Sequence, residues 1–394
     1  MEQRETLAPV YSLRALTGYF FRLGYKGFGG PVALVGYMHR DLVEQKKWIS
    51  EDDYKEGLAL AQLAPGPLAA QLSIYIGFVH YRVLGATLTG LAFIIPSFFM
   101  VVGLGIAYKM FDGLPWMQAV FYGVGAAVIG IILLSSYKLT IKSVSKLNSE
   151  AIRNSWLLWI FYLAGLIVTV VTQSEEVLLF VMAGLLYMLW KSPPKKVKSF
   201  QSPMSIMLFS GIGFWNYNPE LLNKMGLFFL KAGAFVFGSG LAIIPFLHGG
   251  LVLENHWLTE AQFIDAVAVA MITPGPVVIT VGFIGYLMAG FPGACVAGLA
   301  TFLPCYLFTI LPAPYFKKIA KNKSIKAFVD GITAAVVGAL MGSVFVIAMR
   351  SIKDVPTFII ALASLLVLIY SKKIKEPIII LSAAVIGIIL KLVL

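Results

Sequence analysis

Phe28-Gly29-Gly30-Pro31 returns, 209 positions later, as Phe237-Gly238-Ser239-Gly240. The same offset carries His39 onto His248, Trp48 onto Trp257 and Pro65-Gly66-Pro67 onto Pro274-Gly275-Pro276. Past one deletion the offset becomes 208, and Gly85, Gly90, Pro96, Gly123 and Gly130 fall on Gly293, Gly298, Pro304, Gly331 and Gly338. A chain that repeats its helix breakers in register reads as two similar units. In a very apolar chain, matched breaks of this kind mark a secondary transporter.

Of the 394 residues, 59% are hydrophobic and 13% charged. Runs such as Leu84–Tyr108, Met117–Tyr137, Trp156–Gln173, Phe328–Met349 and Pro356–Tyr370 are long enough to cross a bilayer core of about 30 Å. They are continuous rather than alternating, which excludes a β-barrel. The expected fold class is an all-α polytopic membrane protein: two homologous six-segment units in inverted topology, with discontinuous helices and about 13 transmembrane segments. The net charge of +12 sits in short loops between apolar runs, where it sets orientation rather than binding nucleic acid. Cys295 and Cys305 both lie in apolar sequence and form neither a disulfide framework nor a metal site, and no cofactor is called for. Met1–Leu16 lacks the apolar core and cleavage site of a signal peptide.

The first unit, residues 1–190, holds apolar segments near 16–38, 55–80, 84–108, 117–137, 156–173 and 176–190. Residues 191–220 join the units through the Pro- and Lys-rich stretch Lys191–Ser202 and an odd apolar segment, Met204–Tyr217. The second unit, 221–394, holds segments near 226–249, 263–289, 293–316, 328–349, 356–371 and 377–394. Lysine-rich loops follow the fourth and sixth segments of the first unit but the third and fifth of the second, so the units have opposite parity. With positive loops cytoplasmic, the N-terminus lies inside the bacterial cytoplasmic membrane and the C-terminus outside. The parity is unchanged if the first two segments of each unit are both re-entrant.

Each unit repeats a helix start, Trp48-Ile49-Ser50 and Trp257-Leu258-Thr259. Ser50 and Thr259 read as N-caps, with Asp53 and Gln262 as their capping-box partners. Each helix then meets Pro-Gly-Pro, whose first proline stops it. Gly66 and Gly275 permit an unusual backbone angle, and Pro67 and Pro276 suit the first turn of a new half-helix. The free N–H groups of that turn, near Leu68 to Ala70, favour an anion. The breaks at Gly29-Gly30-Pro31 and Gly238-Ser239-Gly240 supply a second kind of break; a plain proline kink is the simpler alternative.

Arg22 and Lys231 match under the repeat, and Lys26 lies one turn beyond Arg22. Inside apolar segments they either neutralise a bound oxyanion or snorkel to the interface. Gln71 and Thr280, one turn into the half-helices, can donate to an oxyanion or serve as packing glue. Glu56 and Asp265 match each other; burial would make Asp265 a proton carrier, whereas a carboxylate at a helix mouth would pair with a loop cation. Asp330 is a weaker candidate of the same kind. His39 and His248 are structural or interfacial histidines, with proton transfer as the alternative.

The runs FFRLGYKGFGGPVALVGYM, LAQLAPGPLAAQLSIYIG and GLAFIIPSF, with the Trp48 helix start between the first two, resemble the chromate ion transporter family in its long, two-domain form. The resemblance covers most of both units. It implies an inner-membrane protein that exports chromate, a sulfate-like dianion, and confers chromate resistance; its signature falls on Phe28–Pro31 and Pro65–Pro67. The second copy departs from that signature, with Ser239 and Gly240 where the first has Gly30 and Pro31. The partners expected are a small inorganic oxyanion and membrane lipid, and a homodimer is admitted. Two rivals stay open: a carrier or importer of sulfate or another oxyanion, and an integral membrane enzyme acting on lipid.

Overall fold

The computed structural model describes residues 11–27, 30–111, 115–145, 149–172, 176–193, 219–236, 240–316, 322–352, 354–371, 374 and 376–393. Among them every regular element is helical. Helix α1 (Leu13–Lys26) starts where the Ser12 hydroxyl accepts from Ala15 N–H at 3.2 Å. It buries Leu16, Phe20, Leu23 and Gly24 and turns Phe21, Arg22, Tyr25 and Lys26 outward. Helix α2 (Gly30–Met38) does not continue α1 but folds back along it, because the Tyr19 hydroxyl reaches the Tyr37 carbonyl at 3.3 Å and the Asp41 carboxylate at 3.2 Å. A π-helical turn, His39–Gln45, carries α2 to the surface.

Helix α3 (Glu51–Leu63) begins at Ser50 and ends at the first proline of Pro65-Gly66-Pro67. The residue before a proline is driven to extended backbone, and Ala64 takes φ −87°, ψ 144°. Helix α4 (Leu68–Phe111) then returns along α3, with Gly57 packed on the Tyr75 ring. At Arg82 (φ 52°, ψ −142°) α4 turns again, and its arms 68–81 and 83–111 lie side by side with the Thr89 hydroxyl on the Ser73 carbonyl (2.9 Å). The stretches 16–38 and 55–80, each expected as one apolar segment, are therefore two hairpins. Their pieces, 14 residues in α1 and 13 in α3, span only about 20 Å each at 1.5 Å per residue.

The second half repeats this path. Helix α9 (Pro219–Ala234) is followed by α10 (Ile244–His248), which sits between a 3-10 turn (Gly240–Ile243) and a π turn (Gly249–Glu254). Helices α11 (Glu260–Ile272) and α12 (Thr280–Ile310) follow, and α12 is kinked at Ala289 and Gly290. The Thr259–Gln262 capping box is complete. At α3 the shorter Asp53 side chain instead accepts the Ser50 hydroxyl at 2.7 Å.

Among the described residues, Leu68–Phe111, Trp116–Ser143, Val277–Tyr315 and Lys323–Met349 are long and apolar enough to cross a membrane. Trp156–Thr172, Val177–Lys191 and Val355–Tyr370 are shorter apolar helices. The odd segment Met204–Tyr217 lies outside the described residues. Arm 83–111 turns Leu84, Leu88, Leu91, Ile95 and Phe99 outward at helical spacing, a stripe suited to lipid rather than water.

The two halves exchange their remaining helices. Helix α5 (Pro115–Ser143) is followed by α6 (Ser149–Asn154), α7 (Trp156–Thr172) and α8 (Val177–Lys191). In the second half α13 (Lys323–Ser351) is followed by α14 (Val355–Tyr370) and α15 (Glu376–Ile388). Helix α5 packs on α14 and α15, while α13 packs on α7 and α8. Backbones touch at these crossings: a Cβ on Gly123 would overlap the Ala383 carbonyl, and one on its repeat mate Gly331 would overlap that of Ala183. Without a hydrophobic drive between helices in lipid, such close approach of small residues supplies the adhesion.

Candidate functional site

Both Pro-Gly-Pro turns end on a break that belongs to the other half. Gly66 N–H donates to the Val236 carbonyl at 2.5 Å, and Gly275 N–H donates to the Gly27 carbonyl at 2.9 Å. Val236 precedes Phe237 and Gly27 precedes Phe28, so donors and acceptors alike are repeat mates. The turns need glycine: Gly66 has φ 144° and Gly275 has φ 100°, where a side chain is strained. Ser97 and Cys305, also repeat mates, pack on these glycines crosswise, Ser97 on Gly275 and Cys305 on Gly66. The Ser97 hydroxyl donates to the Gly24 carbonyl at 3.0 Å, fixing the α1 end beside the turn.

Beyond the turns the half-helices differ. The first runs straight into α4, whose first intrahelical bond is Gln71 N–H to Pro67 carbonyl (3.0 Å), so the N–H groups of Leu68, Ala69 and Ala70 lead it. The second opens with a 3-10 turn, Val277–Ile279, in which Ile279 N–H bonds the Pro276 carbonyl at 2.9 Å. Gln71 is fully buried and its amide N–H donates to the Pro65 carbonyl at 2.9 Å. Thr280, also buried, donates its hydroxyl to the Ala266 carbonyl at 2.7 Å. Gln71 thus spends one donor on the break's own backbone, and Thr280 spends its only side-chain donor on helix α11.

The cations near the breaks are exposed rather than buried with the turns. Arg22, Lys26 and Lys231 are exposed on the outer faces of α1 and α9, and the Lys26 ammonium sits 5.5 Å from the Tyr25 ring centre. Asp265 is buried, 6% exposed, and accepts from the Tyr108 hydroxyl of the other half at 2.8 Å. Glu56, its repeat mate, is half-buried on α3. The histidines clasp the helix starts: His39 bonds Glu51 (2.9 Å) and Glu44 (3.1 Å), and His248 bonds Glu260 (2.8 Å). The His39 hydrogen bond, followed by that of Lys55, holds the Glu51 carboxyl below its ordinary range. Gly30 opens α2 and Pro31 follows it, while Phe28, Gly29, Gly238 and Ser239 lie outside the described residues.

Sequence reasoning missed Tyr108, Ser97, Cys305 and the carbonyls of Gly27 and Val236. Ser97 and Cys305 carried a usable signal, since each follows a matched proline, Pro96 and Pro304, by one position. Tyr108 carried none, because its repeat mate is Phe316.

A family model described as the chromate transporter matches residues 14–189 and again 223–388. The chain belongs to the chromate transporter family. It is 61% identical over 390 residues to the chromate transport protein of Cupriavidus metallidurans, covering 97% of this chain and 94% of that protein. With the probable chromate transport protein of Synechococcus elongatus it shares 57% over 388 residues, 97% of this chain and 96% of the relative. With the chromate transport protein of Pseudomonas aeruginosa it shares 28% over 414 residues, 97% and 94% respectively. No solved structure matches the chain. This transporter is a membrane protein, and its family carries ions rather than catalysing reactions.

Proposed function

We propose that this transporter exports chromate across the bacterial cytoplasmic membrane by alternating access, binding the oxyanion where the Pro-Gly-Pro turns meet the glycine breaks of the opposite half. The observation that carries this reading is the reciprocal pair of hydrogen bonds, Gly66 to Val236 and Gly275 to Gly27. Broken backbone belongs at membrane depth only inside protein or along a cavity. Bringing four breaks together concentrates half-helix ends where an anion is stabilised. The relatives named for chromate transport extend over nearly the whole chain, which supports chromate as the cargo.

Residues 1–190 and 221–394 act as two units of inverted topology, joined through 191–220, with the N-terminus cytoplasmic and the C-terminus outside. The spanning arms favour this reading. Thr87 meets Tyr306 at 2.6 Å and Phe98 meets Phe291 and Gly298, so arms 83–111 and 291–310 run antiparallel. The hairpins then re-enter from opposite faces and meet tip to tip. Arg22, Lys26 and Lys231, exposed beside those tips, need a polar medium and line water-filled vestibules that draw the anion in. An inside-negative potential favours efflux of an anion by about 2.3 kcal/mol per charge per 100 mV, so proton transfer through Asp265 or Glu56 is an addition to the drive.

The test is radiolabelled chromate flux into vesicles holding the purified protein, under an imposed potential and with unlabelled sulfate as competitor. Replacing Arg22 and Lys231 together by Gln should abolish flux while membrane levels stay normal. Unchanged flux in that double variant would remove both cations from the site, and failure of the parent protein to carry chromate would remove the cargo.

A further inference from the structure

We infer that the first Pro-Gly-Pro turn accepts a hydrogen bond from its ligand through Gln71, and so selects the protonated oxyanion, hydrogen chromate, over a bare dianion such as sulfate. This rests on the chromate-transport reading above. Gln71 is 0% exposed, and its Nε2 group donates to the Pro65 carbonyl at 2.9 Å. That bond fixes the amide orientation, since the flipped form would set two acceptors against each other. The Oε1 atom is left buried without a hydrogen-bond partner. A buried acceptor in this state is costly to keep unless something arrives to donate to it.

The same break carries the donors that lead the half-helix, the N–H groups of Leu68, Ala69 and Ala70. Donors beside a single acceptor fit a tetrahedral oxyanion that bears one proton. Its unprotonated oxygens take the N–H groups and its O–H meets Oε1. The other half differs in its turn but shares one feature. The Thr280 proton is engaged by Ala266 at 2.7 Å, so this hydroxyl also turns lone pairs to its surroundings. Chromate takes up a proton near neutral pH, whereas sulfate stays fully ionised there. A bare dianion brings only lone pairs to Oε1, and a desolvated acceptor facing acceptors is penalised. One neutral amide thereby separates two anions of similar shape.

Gln71 does not titrate. The ionisable groups nearest in sequence on the elements meeting there include Glu56 on α3, Tyr75 one turn beyond Gln71 on α4, Cys305 of α12 against Gly66, and Lys231, five residues before Val236. The quotient of the two anions removes effects common to both, and its slope with pH follows the ionisation of chromate itself, which makes it the quantity to measure.

The experiment uses the full chain in vesicles between about pH 6 and 8. It reads the half-saturating total chromate divided by the inhibition constant of sulfate. That quotient should rise about tenfold per pH unit above the second ionisation of chromate, as hydrogen chromate is depleted. Gln71→Met should lose about tenfold in preference for chromate over sulfate at the lower pH while still carrying chromate. A quotient that stays constant with pH, in a protein that does carry chromate, would overturn the inference and leave the transport reading standing. Absence of chromate flux at every pH would overturn both. If Gln71→Met fails to reach the membrane, the pH series on the parent protein decides alone.

Discussion

Near the end of α4 the Tyr108 hydroxyl donates to Asp265 of the second half (2.8 Å), but the return contact lacks its hydroxyl, because the mates of Tyr108 and Asp265 are Phe316 and Glu56. A second tie between halves behaves alike. Tyr122 on α5 donates to Asp354 at 2.7 Å, and the mate of Tyr122 is Asp330. Backbone contacts, by contrast, come in pairs: Gly66–Val236 with Gly275–Gly27, and Gly123–Ala383 with Gly331–Ala183. Across their interface the two halves therefore share the contacts made by backbone and differ in those made by polar side chains. Backbone contacts fix where helices cross and cannot drift without breaking the fold. Side-chain ties are individually weak and are where the halves have diverged.

The largest effect should come from the paired crossings. Gly123→Leu forces a side chain into the Ala383 carbonyl and should cost about 3 kcal/mol or more, seen as loss of folded protein on size exclusion. Gly331→Leu should cost the same within error; tolerance at one site alone would break the symmetry of the backbone contacts. Next is the buried tie. Tyr108→Phe should lower stability by roughly 1–3 kcal/mol by leaving Asp265 short of a donor, while Glu56→Gln should be nearly neutral in the same thermal melts. A double-mutant cycle of Tyr108→Phe with Asp265→Asn that gave no coupling energy would dismiss the contact.

Arg82 and Gly290 sharpen the comparison at the α4 and α12 turns. Arg82 holds φ 52° and Gly290 holds φ 61°, a region open to glycine. Arg82→Gly should therefore stabilise by up to about 1 kcal/mol, whereas Gly290→Arg should destabilise. Equal melting temperatures for parent and both variants would show that the turns carry no strain. The smallest effect is at Asp354. The Tyr122 hydrogen bond, and those from Thr357, hold its carboxyl below the ordinary range. Its contribution is therefore present above the usual carboxylate pKa and is lost as pH falls through the depressed value. At so exposed a site this amounts to less than about 1 kcal/mol. Asp354→Asn, which keeps the helix cap, should flatten the stability curve below about pH 4; an unchanged acid limb would assign it to other groups.

Much of the local framework was legible because it is written by neighbouring residues. Pro65 and Pro274 end their helices, Ser50 and Thr259 start them, and the matched glycines mark the breaks. The candidate site was legible only as a set of breaks. Gln71 and Thr280 stood out, but the partners that occupy one donor on each, Pro65 and Ala266, emerged only from the fold. Arg22 and Lys231 stood out too, yet sequence could not say that they face outward while Leu16, Phe20 and Leu23 face in.

The sequence by itself determined that this is a twice-repeated, apolar, helical membrane chain with breaks at fixed places, since periodicity, proline and glycine act over a few residues. Tertiary structure alone decided that 16–38 and 55–80 double back as hairpins, that each Pro-Gly-Pro turn bonds the opposite half, and that α5 and α13 trade partners. In a chain where nearly every helix face is apolar, hydropathy does not distinguish one neighbour from another. The choice falls to shape, to where a glycine lets two backbones touch, and that is a property of pairs of helices rather than of any stretch of sequence.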